Sequence, residues 1–268
     1  MVIGGAAQIP GALVLAGTAA LRVGAGKLKL AGPRSSIAPL GVAVPEARVI
    51  GLPETGDGFL DRRAGSRAAD VADAQAILIG PGMMNDDSIR GFMDEIIRRV
   101  ADRTLVIDAL ALHALRGGRY RFSEDTNVVL TPNIDEMVKI TGDSKEAIER
   151  DPQSVAQRVS EDLNVVVALK GPETFIASPY GEIFRYTEGR VGLATSGSGD
   201  VLAGVVVGLL ARGATLDQAA VWGVYLHGEA GNRLARRVGP IGFLARELCD
   251  ELAPIMNSLS KKRTSVRA

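Results

Sequence analysis

Apolar positions along this chain follow two rhythms. Short runs such as Lys27-Leu-Lys-Leu-Ala31, Ala76-Ile-Leu-Ile79, Thr104-Leu-Val-Ile107, Asn127-Val-Val-Leu130 and Val165-Val-Val-Ala-Leu169 predict strands. Several are apolar on both faces, the pattern of strands buried inside a parallel sheet. Between them the spacing turns helical over Gly11 to Val23, Asp86 to Ala101, Asp135 to Thr141 and Pro152 to Asp162. Asp151 precedes Pro152 as an N-cap precedes a first helical residue. Thr174 to Ile176 and Glu182 to Tyr186 flank Pro179-Tyr-Gly181 and predict a hairpin. The last third reads as three helices: about Asp200 to Ala211, Thr215 to Val238, and Gly242 to Leu259 with a kink at Pro254.

Strand–helix alternation closed by helices predicts an α/β fold, a mostly parallel sheet with helices on both faces. No repeat or linker divides it, and the stretch Gly51 to Gly58 reads as a surface loop. We therefore expect one domain over residues 1–259 and a basic, flexible tail over 260–268, with Lys261, Lys262, Arg263 and Arg267 in it. In such sheets ligands bind beyond the carboxyl ends of the strands.

Composition narrows the field. The 31 Lys and Arg balance 31 Asp and Glu, and aromatics are 4%, so neither nucleic acid nor an acidic membrane is expected as a partner. Cys249 is the one cysteine and lies in an apolar-periodic stretch, which predicts a buried thiol rather than a nucleophile. His113 and His227 offer no zinc spacing. No leader precedes an apolar run, so the cytoplasm is expected.

Thr195-Ser-Gly-Ser-Gly-Asp200 is the foremost candidate for chemistry. A helix starting there aims free N–H groups at a phosphate, and Asp200 in its first turn is placed as a general base for a hydroxyl. A plain glycine-bearing helix start explains the same residues equally well. Leu169-Lys170-Gly171-Pro172-Glu173-Thr174 offers a cation and a hydroxyl, or a simple hairpin connection. Thr131-Pro132-Asn133-Ile134-Asp135-Glu136 reads first as a capping box. In its functional reading, Asn133 faces substrate and Glu136 orders water around magnesium. Gly80-Pro81-Gly82 follows a strand, where backbone can approach a ligand. Ala16 and Ala20 suit close helix packing.

In this order, these blocks resemble the ribokinase-like superfamily and, more closely, the ADP- or ATP-dependent NAD(P)H-hydrate dehydratases. The resemblance rests on Gly4-Gly5, Pro10-Gly11-Ala12, Leu21 to Gly26, Ile79 to Gly82, Val106-Ile-Asp108-Ala109, Leu130-Thr-Pro132 with Glu136, Leu169-Lys-Gly171 with Thr174, Gly197 to Asp200 and Tyr225-Leu-His-Gly228. It implies repair of the S-epimer of hydrated NADH or NADPH, with ADP or ATP as co-substrate and magnesium expected. The 6-hydroxyl attacks a nucleotide phosphate, and the resulting ester leaves; the bacterial members use ADP and release AMP and phosphate. By position, Asp200 is the base. Lys170, Gly171, Pro172, Glu173, Thr174, Gly197, Ser198 and Gly199 hold the nucleotide and the moving phosphoryl. Ala12, Gly82, Asn133 and Asp200 meet the hydrated cofactor.

Three features depart from the family pattern. Asn133 stands where His is usual, followed by Ile134-Asp135 instead of Pro-Gly. The chain opens at Met1-Val-Ile-Gly inside the first strand, without the family's preceding segment. Ala109-Leu110-Ala111 replaces the acidic residue or glycine frequent two positions after Asp108. The Asn-x-x-Glu form keeps an ATP-dependent kinase of a small alcohol or vitamin precursor as an alternative, and a non-catalytic nucleotide-binding regulator as a further one. The apolar late helices suit either a homo-oligomer or core packing.

Overall fold

The computed structural model describes residues 1–84, 86–100, 102–117, 120–123 and 126–265. Nine strands form one sheet in the order β3-β2-β1-β4-β5-β6-β7-β8-β9. They are β1 (Val2–Ile3), β2 (Leu28–Pro33), β3 (Ala47–Leu52), β4 (Ala76–Ile79), β5 (Thr104–Ile107), β6 (Val128–Leu130), β7 (Val166–Leu169), β8 (Thr174–Ala177) and β9 (Ile183–Tyr186). All pairings from β3 through β7 are parallel, and the β8–β9 hairpin adds two antiparallel strands at one edge.

Period-two alternation in the central strands sends side chains into two separate cores. Ile77, Ile79, Leu105, Ile107, Val128 and Leu130 face one core. It is filled by α3 (Arg62–Asp70), α4 (Asp86–Val100), α5 (Ile134–Thr141), α6 (Lys145–Arg150) and α7 (Pro152–Leu163). Ala76, Leu78, Val106 and Val129 face the other. There lie α1 (Gly11–Arg22), α2 (Ile37–Ala43), α8 (Ser198–Ala211), α9 (Leu216–Arg237) and α10 (Ala245–Ser265).

Helix α8 is buried on almost every side, which explains its unbroken apolar sequence. Gly204 and Gly208 let its backbone touch that of α1. A Cβ on Gly204 would run into the Ala16 carbonyl, and one on Gly208 would come within 2.8 Å of the Ala20 carbonyl oxygen. The close packing expected of Ala16 and Ala20 is thus met.

The expected strands, hairpin and long helices are present, with small shifts of their ends. Ala101, the last residue of the expected fourth-helix span, lies outside the described residues. One expectation is corrected: Gly51 and Leu52 close β3, where they pair with Gly32 and Pro33, so the surface loop begins only at Pro53. The last helix continues past Leu259 to Ser265 with Pro254 inside it, so part of the expected tail is helical. Arg267 lies outside the described residues. Cys249 is buried as expected, and burial pushes its thiol up to about 12. Among the described residues, no helix is long and apolar enough to cross a membrane.

Candidate active site

The carboxyl ends of β5, β6 and β7 meet the starts of α5 and α8, and ionisable side chains gather there. Lys170, directly after β7, stands at the centre. Its ammonium donates to Asp108 Oδ1 at 3.0 Å and lies 3.7 Å from Glu136 Oε2. Its backbone N–H donates to the Pro132 carbonyl, and it bridges to Asn133 as a short parallel continuation of the sheet. A Cβ on Gly199 would sit 3.4 Å from Lys170 Nζ, so the cation rests against the first turn of α8. Burial opposes the Lys170 charge, but Asp108, Glu136 and Asp200 outweigh it and hold its pKa above the ordinary value.

Asp200 sits in that same first turn. Burial raises its carboxyl pKa to about 7; Asp108 and Glu136 add to the rise, and Lys170 offsets part of it. A carboxylate poised there takes a proton effectively at neutral pH. The turn before it is open. Gly197 is the N-cap at φ 85°, in the left-handed region, and no side chain caps the helix. A Cβ on Gly197 would also stand 2.5 Å from Leu15 Cδ1. The Ser198 N–H donates to the Thr195 carbonyl. Gly199 and Asp200 follow as helical residues whose N–H groups have no intrahelical acceptor. The Ser198 hydroxyl lies 2.9 Å from His227 Nε2 on α9. Burial lowers the His227 pKa to about 4, so the imidazole is neutral.

The opposite wall is closed. Asn133 caps α5 through its Oδ1, which accepts from the Glu136 N–H at 2.8 Å, and Glu136 Oε2 accepts from the Asn133 N–H at 2.7 Å. The expected capping box is formed, and Asn133 keeps its amide nitrogen for other partners. Burial raises the Glu136 pKa against the pull of Lys170.

The remaining expected residues divide. Gly171 and Pro172 are exposed in the loop between β7 and β8. Thr174 opens β8 opposite Tyr186, while the Glu173 carboxylate is committed to a two-bond ion pair with Arg185 at 2.6 and 2.8 Å. Ala12 and Gly82 form a separate corner, where a Cβ on Gly82 would lie 2.7 Å from that of Ala12. Ala12 precedes Leu15 by about one turn on α1, and Leu15 abuts Gly197, which links this corner to the open turn before Asp200. Sequence reasoning assigned no site role to Thr131 or His227, and Asp108 entered only as part of a resemblance. Thr131 donates to Asp108 Oδ1 at 2.7 Å. Their partners lie tens of residues away, so only the fold brings them together.

An apolar shelf borders the turn. The Val191–Ala194 turn packs on Phe243 and Pro240 through Gly192, and Ala245 adjoins Gly197. Val191, Ile241 and Leu244 are left exposed on it. A separate cavity of about 360 Å³ lies at the opposite, amino-terminal edge of the sheet, lined by Thr104, Asn127, Thr215 and Asp217 among others. Among the described residues, its lining contains no cation to receive a phosphate.

For magnesium, the described residues offer no group of three or more His, Cys, Asp or Glu able to hold a metal. Glu136 Oε2 is occupied by the Asn133 N–H and faces an ammonium. The donor set fits a magnesium ion carried by phosphates and water, with few protein contacts.

This arrangement joins an open helix start, an immobilised cation and a half-ionised carboxylate. A family model described as NAD(P)H-hydrate dehydratase matches residues 1–254. The chain belongs to the NAD(P)H-hydrate dehydratase family. It is 43% identical over 267 residues to an ADP-dependent (S)-NAD(P)H-hydrate dehydratase of Xanthomonas campestris, covering 97% of this chain and 89% of that protein. It also matches bifunctional NAD(P)H-hydrate repair enzymes, of whose length it spans about half. Among solved structures, the Bacillus subtilis ADP/ATP-dependent NAD(P)H-hydrate dehydratase co-crystallised with ATP/Mg²⁺ superposes with a TM-score of 0.83 at 30% identity, over 96% of this chain and 88% of that one. A ribokinase-like superfamily protein of Enterococcus faecalis superposes with a TM-score of 0.82 at 28% identity, over 96% and 86%. The fold is ribokinase-like, as expected.

Proposed function

We propose that the chain is an ADP-dependent dehydratase that restores the S-epimer of hydrated NADH or NADPH. The observation that carries this reading is Asp200, held near pKa 7 inside the uncapped first turn of α8. Its carboxylate takes the proton of the substrate's 6-hydroxyl. The hydroxyl oxygen then attacks the terminal phosphorus of ADP, and the bond to the AMP oxygen breaks. The free N–H groups of the turn and the Lys170 ammonium stabilise the charge spread over the moving phosphoryl. The C6–O bond of the new ester breaks next, phosphate departs, and loss of a proton from C5 restores the ring double bond. Magnesium bound with the nucleotide supplies charge neutralisation on the phosphates. Glu136, on α5, would order water around a magnesium ion bound with the nucleotide.

Val191, Ile241 and Leu244 support a resting place for the nucleotide base beside the turn. Gly171, Pro172 and Thr174 support nucleotide contacts from the hairpin loop, and Ala12, Gly82 and the Asn133 amide nitrogen support contacts with the hydrated cofactor. The Asn-x-x-Glu form that suggested a kinase is accounted for by the capping box alone. Both substrates are small soluble metabolites, which suits a cytoplasmic setting.

The test is direct. Hydrated NADH, ADP and the protein are mixed and NADH absorbance is followed. Recovery of NADH with stoichiometric AMP and phosphate is expected. A stable phosphorylated cofactor with no NADH recovery would mark a kinase, and recovery no faster than without protein would reject the reading.

A further inference from the structure

Asp108 is a carboxylate with only 2% of its surface exposed, at the carboxyl end of β5. Its position is enforced from three directions. The Thr131 hydroxyl and the Lys170 ammonium both donate to its Oδ1, at 2.7 and 3.0 Å. Its carbonyl lies so close to Gly80 that any side chain there would collide with it. The next residue, Ala109, adopts φ 52°, a left-handed conformation that is strained for a non-glycine residue. A buried ion pair kept only for stability is a poor investment, since an apolar pair of similar volume often does as well. Strain of this kind gathers where geometry serves a ligand.

The geometry shows what Asp108 holds. Lysine is a flexible cation with several rotatable bonds. Here it has three carboxylates within its field: Asp108 from β5, Glu136 from α5 and Asp200 from α8. Direct pairing with Asp200 would quench the base. Instead its ammonium is drawn down to Asp108 at the sheet edge, still against Gly199.

We propose that Asp108 is a positioning residue of the reaction: it tethers the Lys170 ammonium beside Gly199, where the cation meets the nucleotide phosphate, and keeps it from closing onto the Asp200 carboxylate. This rests on the dehydratase reading with Asp200 as base. Neutralising Asp108 removes a negative charge that disfavours ionised Asp200 and frees the ammonium to pair with it. Both changes favour the ionised carboxylate, so the acid limb of the rate profile moves to lower pH while the base weakens. The other groups facing this cluster are His227 on α9, which stays neutral above about pH 4, and His113, which faces Glu136 from the 3-10 turn Ala109–Leu115.

The experiment compares the full chain with Asp108→Asn, Thr131→Val and Thr131→Ser. It measures kcat and KM against pH with hydrated NADH and ADP, and ADP affinity by calorimetry. Asp108→Asn is expected to lower kcat about tenfold or more, to move the acid limb down by about one pH unit and to weaken ADP binding severalfold. Thr131→Val should shift the profile the same way by less, and Thr131→Ser should restore it. An Asp108→Asn protein that melts like the parent and keeps its acid limb overturns the inference. If that variant does not fold, the Thr131 pair decides, and identical profiles for Val and Ser overturn it. If the parent itself restores no NADH, the functional reading has failed; ADP affinity then decides, and a Kd within about twofold of the parent overturns the inference.

Discussion

Two helix starts face each other across the site, and they are finished in opposite ways. Helix α5 begins at Asn133, and its free donors are closed by its own side chains in a reciprocal capping box. Helix α8 begins at Gly197, in a left-handed conformation with no side-chain cap. An uncapped, half-buried helix start is unfavourable unless something else supplies the missing acceptors. On the proposed function, the closed start is scaffold and the open one is where the nucleotide's phosphate binds.

The comparison breaks most sharply at Asp200. Asp200→Asn keeps the shape of the open start and removes its proposed base. We expect kcat to fall by about 10²–10⁴-fold. With Asp200 as the proposed base, the parent's rate should rise with pH through about 7, because only the ionised carboxylate takes the proton. The same variant should be the more stable protein. The folded-state pKa of Asp200 is raised above its unfolded value, so the folded state favours the protonated acid. Its stability is intact below the unfolded value near 4 and falls as pH rises through 7. Asparagine escapes that loss, so melting curves should separate between pH 4 and 7 and stay apart above, by on the order of 2 kcal/mol. Curves that coincide at pH 8 would show that Asp200 is not strained by its surroundings.

Gly197→Ala tests the left-handed N-cap. The added methyl meets Leu15 at 2.5 Å and the backbone at φ 85° resists any L side chain. We expect a loss of about 1–3 kcal/mol in urea unfolding and a raised KM for ADP. An unchanged KM alongside lost stability would make the turn structural only.

Asn133→Ala opens the closed start and should have the smallest effect. The capping loss is about 1 kcal/mol, with kcat and ADP affinity near those of the parent. A tenfold rise in KM for hydrated NADH, at unchanged stability, would instead make Asn133 a substrate contact and overturn the scaffold assignment.

Much of this contrast was legible in the residues. Asn133 with Glu136 three positions on is a local pattern, and the box formed as the spacing predicts. The apolar run of β4 and the Leu-Val-Ile of β5 placed those strands without error. β3 was lost because it is an edge strand, half-exposed, with Arg48 interrupting one face and Gly51 the other. The Lys170–Asp108 contact spans 62 residues and the Ser198–His227 contact 29, and neither partner carries a local signal of the other. The Glu173–Arg185 ion pair was not legible either: it follows from the hairpin register, which sets Thr174 opposite Tyr186 and so brings Arg185 within reach of Glu173. Local chemistry could be read from the sequence; the long-range electrostatics needed the fold.

The backbone contact between α1 and α8 limits how this site can change over generations. Gly204 and Gly208 lock α8 against Ala16 and Ala20, a few residues beyond the turn that carries Asp200. Each helical residue turns the chain by about 100°. A single codon gained or lost between Asp200 and Gly204 would swing the carboxylate to another face of α8 while the glycine contact stayed in place. Point substitutions can vary this stretch, but its length is fixed.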